Sequence, residues 1–158
     1  MGKEKYNRIT YLQLMRTSIV VLGLVLILIA LLSSIIFPTY IYQPAKNVVS
    51  DEYKDGDSLT VYGTITQITY ISNLNITVIV LDGHLKVFAY NKITGYIPGE
   101  EVYMKIKKVS AVSIGSFELS YWLTEEKEIH SVNTWKNIFL YTQIVGLVIS
   151  FLGLAAKR

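Results

Sequence analysis

Cysteine is absent from this chain of 158 residues, and charged residues are scarce. Without cysteine there can be no disulfide, no thiolate metal site and no thiol nucleophile. Charged side chains make up 17% of the sequence, whereas about 25% is usual for a soluble domain. The deficit is concentrated in two long stretches that carry no charge at all. The composition therefore points away from an ordinary soluble protein.

Motifs for catalysis and metal binding are also missing. The two histidines, His84 and His130, are far apart in the sequence and belong to no paired ligand motif. The sequence contains no GxSxG, HExxH or Walker phosphate-binding motif. We therefore expect a non-catalytic protein with no cofactor and no metal, in which both histidines are solvated.

The two uncharged stretches are long enough to cross a bilayer. Residues 18–37 and 138–156 contain no charged side chain, and as helices each would extend about 30 Å, the thickness of the hydrocarbon core. The first stretch is longer than the apolar region of a signal peptide, and it ends at Phe37-Pro38 instead of small residues. Both stretches are predicted to be transmembrane helices.

Basic residues are concentrated at the two ends of the chain. Residues 1–17 carry four basic residues and one acid, and the chain ends in Lys157-Arg158. Residues 51–57 carry four acids and one lysine. Because positive charge near a span favours the cytoplasmic side, we expect 1–17 to be a cytoplasmic tail and 157–158 a cytoplasmic end. The segment between the spans is then extracytoplasmic.

Each predicted span has small residues along one face, where helices can approach closely. The second span also has two polar positions, Thr142 and Gln143, which can hydrogen-bond a partner helix. The spacing permits a contact within the chain or with another subunit. The candidate helix-packing residues are Gly23, Ala30, Ser34, Gly146, Ser150 and Gly153.

The middle of the chain is predicted to be a small β domain over residues 58–124. It is flanked by a linker over 38–57, which contains two prolines and a run of mixed charge, and by a connection over 125–137. Apolar and polar residues alternate from Ser58 onward, and the alternation slips after Gln67, which indicates a bend or bulge. Asp82-Gly83 between two β runs is a strong hairpin signal. The predicted strands are 58–71, 76–81, 84–90, 101–109 and 116–123.

This pattern of five strands resembles the OB-fold, a partly open five-stranded barrel. The residues that carry the resemblance are Val61-Tyr62-Gly63-Thr64-Ile65 in the first strand, Leu81-Asp82-Gly83 in the hairpin and Pro98-Gly99-Glu100-Glu101-Val102 at the fourth strand. The resemblance implies a membrane-anchored OB-like domain, so the predicted fold class is two transmembrane helices flanking an all-β barrel.

Alternation also places aromatic side chains on the outside of the barrel, where a contiguous apolar patch often marks an interface. Beside them, Lys105, Lys107 and Lys108 form a basic stripe. Residues 38–136 contain nine lysines, eleven acids and no arginine, a net charge of −2, which disfavours nucleic acid. The candidate partner-binding face is Tyr62, Phe88, Tyr90, Tyr103 and Trp122.

Three functions follow as hypotheses. The first is an accessory or assembly subunit of a membrane complex, whose partners are the bilayer and other membrane proteins or further copies of itself. The second is a ligand-binding or chaperone domain for haem, a lipid or a glycan. His130 is similar in position to the haem-attaching residue of membrane-anchored haem chaperones, although Glu128-Ile129-His130-Ser131 does not match their motif. The third is an extracytoplasmic binder of single-stranded nucleic acid.

Overall fold

The computed structural model describes residues 2–114 and 117–155. The predicted turn at Gly115 and the predicted cytoplasmic end at 157–158 lie outside the described residues. The chain divides into a helical unit, made of the residues up to 36 and from 134 onward, and a β unit over 37–133. The β unit is therefore longer at both ends than the predicted barrel.

The helical unit consists of α1 (Gly2–Ile36) and α2 (Val132–Ala155). Thr10–Ile36 and Val132–Ala155 are long and apolar enough to cross a membrane, with mean hydropathies of 3.2 and 2.1. Both helices begin earlier than the predicted spans, because the basic tail and the end of the predicted connection are also helical. Pro38 lies just beyond α1, and the residue before a proline is disfavoured in helical conformation.

The two helices pack antiparallel through small residues. A Cβ atom on Gly23 would lie 2.5 Å from the Gly146 carbonyl oxygen, and one on Gly153 would lie 2.8 Å from a methyl group of Val20. Ser150 is buried in the same contact, and its hydroxyl donates to the Gly146 carbonyl.

Of the other predicted packing residues, Ala30 is buried, whereas Ser34 is exposed and donates to the Leu31 carbonyl of its own helix. Placing Ser34 on the packed face was therefore wrong. It lies four residues beyond Ala30, but α2 does not cover its side chain.

The β unit is a closed five-stranded barrel with two short additional strands. Around the barrel the order is β2-β3-β4-β6-β5, and β5 pairs again with β2. Within the barrel β4 and β6 are parallel, and the other neighbours are antiparallel. The strands are β1 (Gln43–Pro44), β2 (Ser58–Ile71), β3 (Ile76–Leu81), β4 (Leu85–Tyr90), β5 (Glu101–Ile114), β6 (Phe117–Thr124) and β7 (Ile129–Ser131). This topology is OB-like, as the sequence predicts.

Closure of the barrel depends on the bend in β2. Its first half, from Ser58 to Thr64, pairs with β5, and its second half, from Ile65, pairs with β3. The register shifts between Ile65 and Gln67, where the alternation of the sequence slips, and a bulge of this kind increases the bend of a strand. Asp82 and Gly83 both have positive φ, 51° and 68°, as the hairpin requires.

Inward side chains from all five barrel strands fill the interior, in agreement with the period of two. The fully buried ones include Val61, Ile65, Ile79, Leu81, Val87, Val102, Met104 and Ile106. Gly63 is needed on β2 because a Cβ atom there would lie 2.9 Å from a carboxylate oxygen of Asp82 and 3.0 Å from the Ala45 Cβ.

The segment predicted to be a linker, 38–57, belongs to the barrel. Ala45 and Val48 are buried in its core, and β1 pairs with β2. Lys108 on β5 fixes the same segment from the other side, since its ammonium donates to the carbonyls of Ser50 and Tyr53. The prolines and charged residues correctly predict that this segment is irregular. They do not predict that it packs against the barrel, so its assignment as a linker was wrong.

Tyr96 connects the loop between β4 and β5 to β7, because its hydroxyl donates to the Ile129 carbonyl at 2.6 Å. Burial, and then the nearby carboxylates of Glu100 and Glu126, raise the pKa of Tyr96. A pKa raised by folding stabilises the protein below the unfolded-state value near 10, and the stabilisation is lost as pH rises through the folded-state pKa.

Replacing Tyr96 by phenylalanine is expected to lower the free energy of unfolding by about 1 kcal/mol at pH 7, the contribution of one hydrogen bond. Above pH 10 the difference between wild type and variant should shrink, because the tyrosine ionises in the unfolded chain before it ionises in the folded protein, where its pKa is raised. Urea unfolding at pH 7 and at pH 10.5 measures both differences. A difference that stays constant over this range would contradict the assigned role.

Candidate partner-binding groove

An apolar groove of about 430 Å³ lies on the outside of the barrel, across β3, β4 and β6. Its lining includes Ile76, Phe88, Tyr90, Tyr121 and Leu123. Two of these, Phe88 and Tyr90, belong to the predicted partner-binding face.

Strand register explains how these side chains come together. Ile76 pairs with Tyr90 across β3 and β4, and Phe88 pairs with Leu123 across β4 and β6. Because directly paired residues point to the same face of a sheet, the five side chains form one patch. The rings of Phe88 and Tyr121 meet edge to face, with centroids 5.7 Å apart. That arrangement is favourable for aromatic pairs.

A second depression of about 400 Å³ shares Phe88 and Tyr121 with the groove. Its lining is more polar and includes Ser50, His84 and Lys86. The groove therefore has an apolar body and, beside it, a polar region with one fixed positive charge. This resembles the general anatomy of a protein interface, in which an apolar centre is bordered by a polar rim.

The other predicted aromatics do not lie in the groove. Tyr103 on β5 is stacked on Tyr42, with centroids 5.0 Å apart, and Phe37 meets both rings edge to face. The His130 ring lies 5.0 Å from the Tyr103 ring, and Tyr62 is the direct strand partner of Tyr103. Burial, and then Tyr103, raise the pKa of Tyr42. This Tyr103 cluster packs the start of the β unit against β5.

Trp122 does not face outward, and its predicted orientation was wrong. Its side chain is 3% exposed and belongs to the core. Sequence alternation on β6 favours the opposite choice because Tyr121 and Leu123 are both apolar, so the strand has apolar residues on both faces. The outer ones line the groove. Because both faces of β6 are apolar, the sequence pattern did not identify Tyr121 and Leu123 as the outward-facing residues.

The basic stripe is also interrupted, because Lys108 is only 7% exposed and is held by two carbonyls. Lys105 and Lys107 remain exposed. The charged run after β6 is solvated, since the ion pair between Lys127 and Glu125 lies at the surface. The hydrogen bond from Lys127 lowers the pKa of Glu125.

Within residues 2–114 and 117–155, no group of three or more His, Asp or Glu side chains could hold a metal ion. Both histidines are exposed. His130 belongs to the Tyr103 cluster and is not among the residues that line the groove.

No protein-family model and no curated protein sequence matches this chain. Among solved structures, it is similar to the aspartyl-tRNA synthetase of Entamoeba histolytica, with 7% identity and a TM-score of 0.40 over 58% of this chain. It is also similar to a protein of Leishmania major Friedlin described as an aspartyl-tRNA synthetase, with 13% identity and a TM-score of 0.38 over 56%. The chain covers 21% and 20% of those proteins. The OB-like assignment rests on the strand order of the barrel.

Proposed function

We propose that this chain is a non-catalytic, two-pass membrane protein whose barrel binds a partner protein through the groove on β3, β4 and β6. It would act as an accessory or assembly subunit of a membrane complex. The observation that carries the proposal is the groove itself, an apolar groove on the outside of the barrel built from paired aromatic and aliphatic side chains.

The exposed surface of the helix pair supports the membrane part of the proposal. Large apolar side chains are exposed along Thr10–Ile36 and along α2, among them Leu24, Leu28, Val148 and Leu152. Monomeric soluble proteins rarely expose contiguous apolar surface of this extent, whereas a bilayer solvates it. The basic residues near both ends of the chain favour a cytoplasmic position for both termini and an extracytoplasmic position for the barrel.

The composition of the groove supports a protein partner. Tyrosine and phenylalanine are enriched at the centres of protein interfaces, where a few aromatic side chains contribute most of the affinity. Phe88 is the central residue of this kind, because it contributes to both depressions and packs against Tyr121.

Replacing Phe88 by glutamate is expected to reduce partner recovery at least tenfold, because the substitution places a charge at the centre of an apolar contact. The matched control is Tyr62→Glu, since Tyr62 is also half-buried and points outward, but beside the Tyr103 cluster. The measurement is a pull-down of the tagged full chain from its own membranes in mild detergent, with quantitative mass spectrometry. Equal recovery by wild type and both variants would contradict binding through the groove.

A small ligand is the second candidate, because 430 Å³ lies within the size range of small-molecule sites. The apolar lining favours a lipid over a glycan, and His130 is not part of it. Native mass spectrometry of the purified protein distinguishes the two functions. If the wild-type protein carries one lipid per chain and Phe88→Glu carries none, the groove binds a lipid and the proposal of a protein partner is replaced. Nucleic-acid binding gains no support, because Lys108 is taken out of the basic stripe.

A further inference from the structure

Gln143 lies at the centre of α2. It is residue 12 of the 24 in this helix, so about 18 Å of helix extends on either side of it. If α2 spans the bilayer as proposed above, the Gln143 amide is near the midplane of the hydrocarbon core. Its side chain is half-buried.

The amide of Gln143 has no hydrogen-bond partner within the described part of the chain. Two other polar side chains of α2 donate to their own helix: the Thr142 hydroxyl to the Ile138 carbonyl and the Ser150 hydroxyl to the Gly146 carbonyl, each at 2.9 Å. A primary amide has two N–H donors and a carbonyl acceptor. Leaving these groups unpaired in hydrocarbon is costly, because no water is present to replace a partner.

Three leucines flank Gln143 on the same side of α2. Leu140, Leu147 and Leu154 are seven residues apart and are 52%, 48% and 59% exposed. Gln143 lies three residues after Leu140 and four before Leu147, which is one step of the alternating spacing of a coiled-coil seam. The next position in this spacing, Ser150, is buried in the contact with α1. This seam lies roughly a quarter turn around the helix from the face that Gly146 and Gly153 present to α1.

We propose that α2 pairs in parallel with α2 of a second copy of this chain, and that the two Gln143 amides hydrogen-bond to each other at the centre of the contact. The inference rests on the proposed membrane insertion. Two copies inserted with the same topology are related by an axis along the membrane normal, so each residue lies at the same depth as its counterpart. The amide is self-complementary, since the donor of one copy meets the acceptor of the other.

Energy transfer between donor- and acceptor-labelled full-length chains in phosphatidylcholine vesicles tests the inference over a range of protein-to-lipid ratios. Gln143→Leu keeps the approximate size of the side chain and removes the amide. It is expected to weaken self-association about threefold to thirtyfold, the range measured for hydrogen bonds between membrane helices. Gln143→Asn retains the amide and should retain most of the association. The matched control is Tyr141→Leu, an exposed polar residue at similar depth on another face, which should associate like wild type.

Each other outcome overturns the inference. Wild-type protein that inserts but stays monomeric at every ratio would exclude the second copy, and so would Gln143→Leu with unchanged association. If Gln143→Leu leaves self-association unchanged but loses a different membrane protein in the pull-down, the partner helix belongs to that protein. Extraction of the chain from vesicles by alkaline carbonate would overturn the membrane insertion itself, whereas an inserted monomer would leave the proposed function intact.

Discussion

Replacing Trp122 by alanine is expected to lower the free energy of unfolding of the barrel by about 3–5 kcal/mol, the cost of removing a large aromatic side chain from a packed core. The indole is 3% exposed and meets the Tyr53 ring edge to face, with centroids 5.3 Å apart. The substitution therefore leaves a cavity between β6 and the 43–57 segment. Since small domains are typically stable by about 5–15 kcal/mol, much of the barrel's stability would be lost.

Urea unfolding of the full chain in detergent, followed by the β-sheet signal in circular dichroism, measures this effect. Tyr90→Ala is the matched control, because Tyr90 is 58% exposed on the outer face and its removal should change stability by less than about 1 kcal/mol. If Trp122→Ala and Tyr90→Ala lower the free energy of unfolding by similar amounts, Trp122 is not buried and lies on the outer face.

Replacing Lys108 by methionine is expected to lower the free energy of unfolding by about 2–3 kcal/mol, because two carbonyls lose a charged donor. Methionine keeps the length of the side chain and fills the same space, so the loss reports the hydrogen bonds to Ser50 and Tyr53. The 43–57 segment should also loosen. The amides of Val48 and Tyr53, which donate to carbonyls within this segment, should therefore exchange with deuterium faster.

The control for this substitution is the adjacent residue. Lys107 points to the other side of β5 and is exposed, so Lys107→Met should change stability by no more than about 0.5 kcal/mol. If Lys107→Met and Lys108→Met have the same small effect, the ammonium of Lys108 does not hold the segment. In that case the basic stripe on β5 would again include all three lysines.

These two residues matter for the proposed function because both set the boundary of the groove. Trp122 faces inward, so Tyr121 and Leu123 face outward and complete the patch around Phe88. Lys108 holds the 43–57 segment beside β6, where Ser50 borders the polar depression. A variant that loosens either contact should therefore also weaken partner binding, without changing any side chain of the apolar patch.

The sequence determined the order and period of the elements, because these depend on neighbouring residues. Two long uncharged stretches predict the two apolar helices, and alternation predicts the strands. The slip in alternation after Gln67 and the Asp82-Gly83 turn predict the bend and the hairpin. Together they were enough to indicate an OB-like barrel.

Only the tertiary structure decided which face of a strand is inside when both faces are apolar, and which irregular segments pack. Trp122 and Tyr121 are adjacent aromatics, and their orientation depends on the register of β6 against β4 and β5. Ser34 and Gly146 are both small residues, but only Gly146 meets the other helix. Lys107 and Lys108 have the same side chain, but only the Lys108 ammonium donates to the carbonyls of the 43–57 segment. Burial in each case depends on residues that are distant in the chain, and local sequence does not encode where those residues lie.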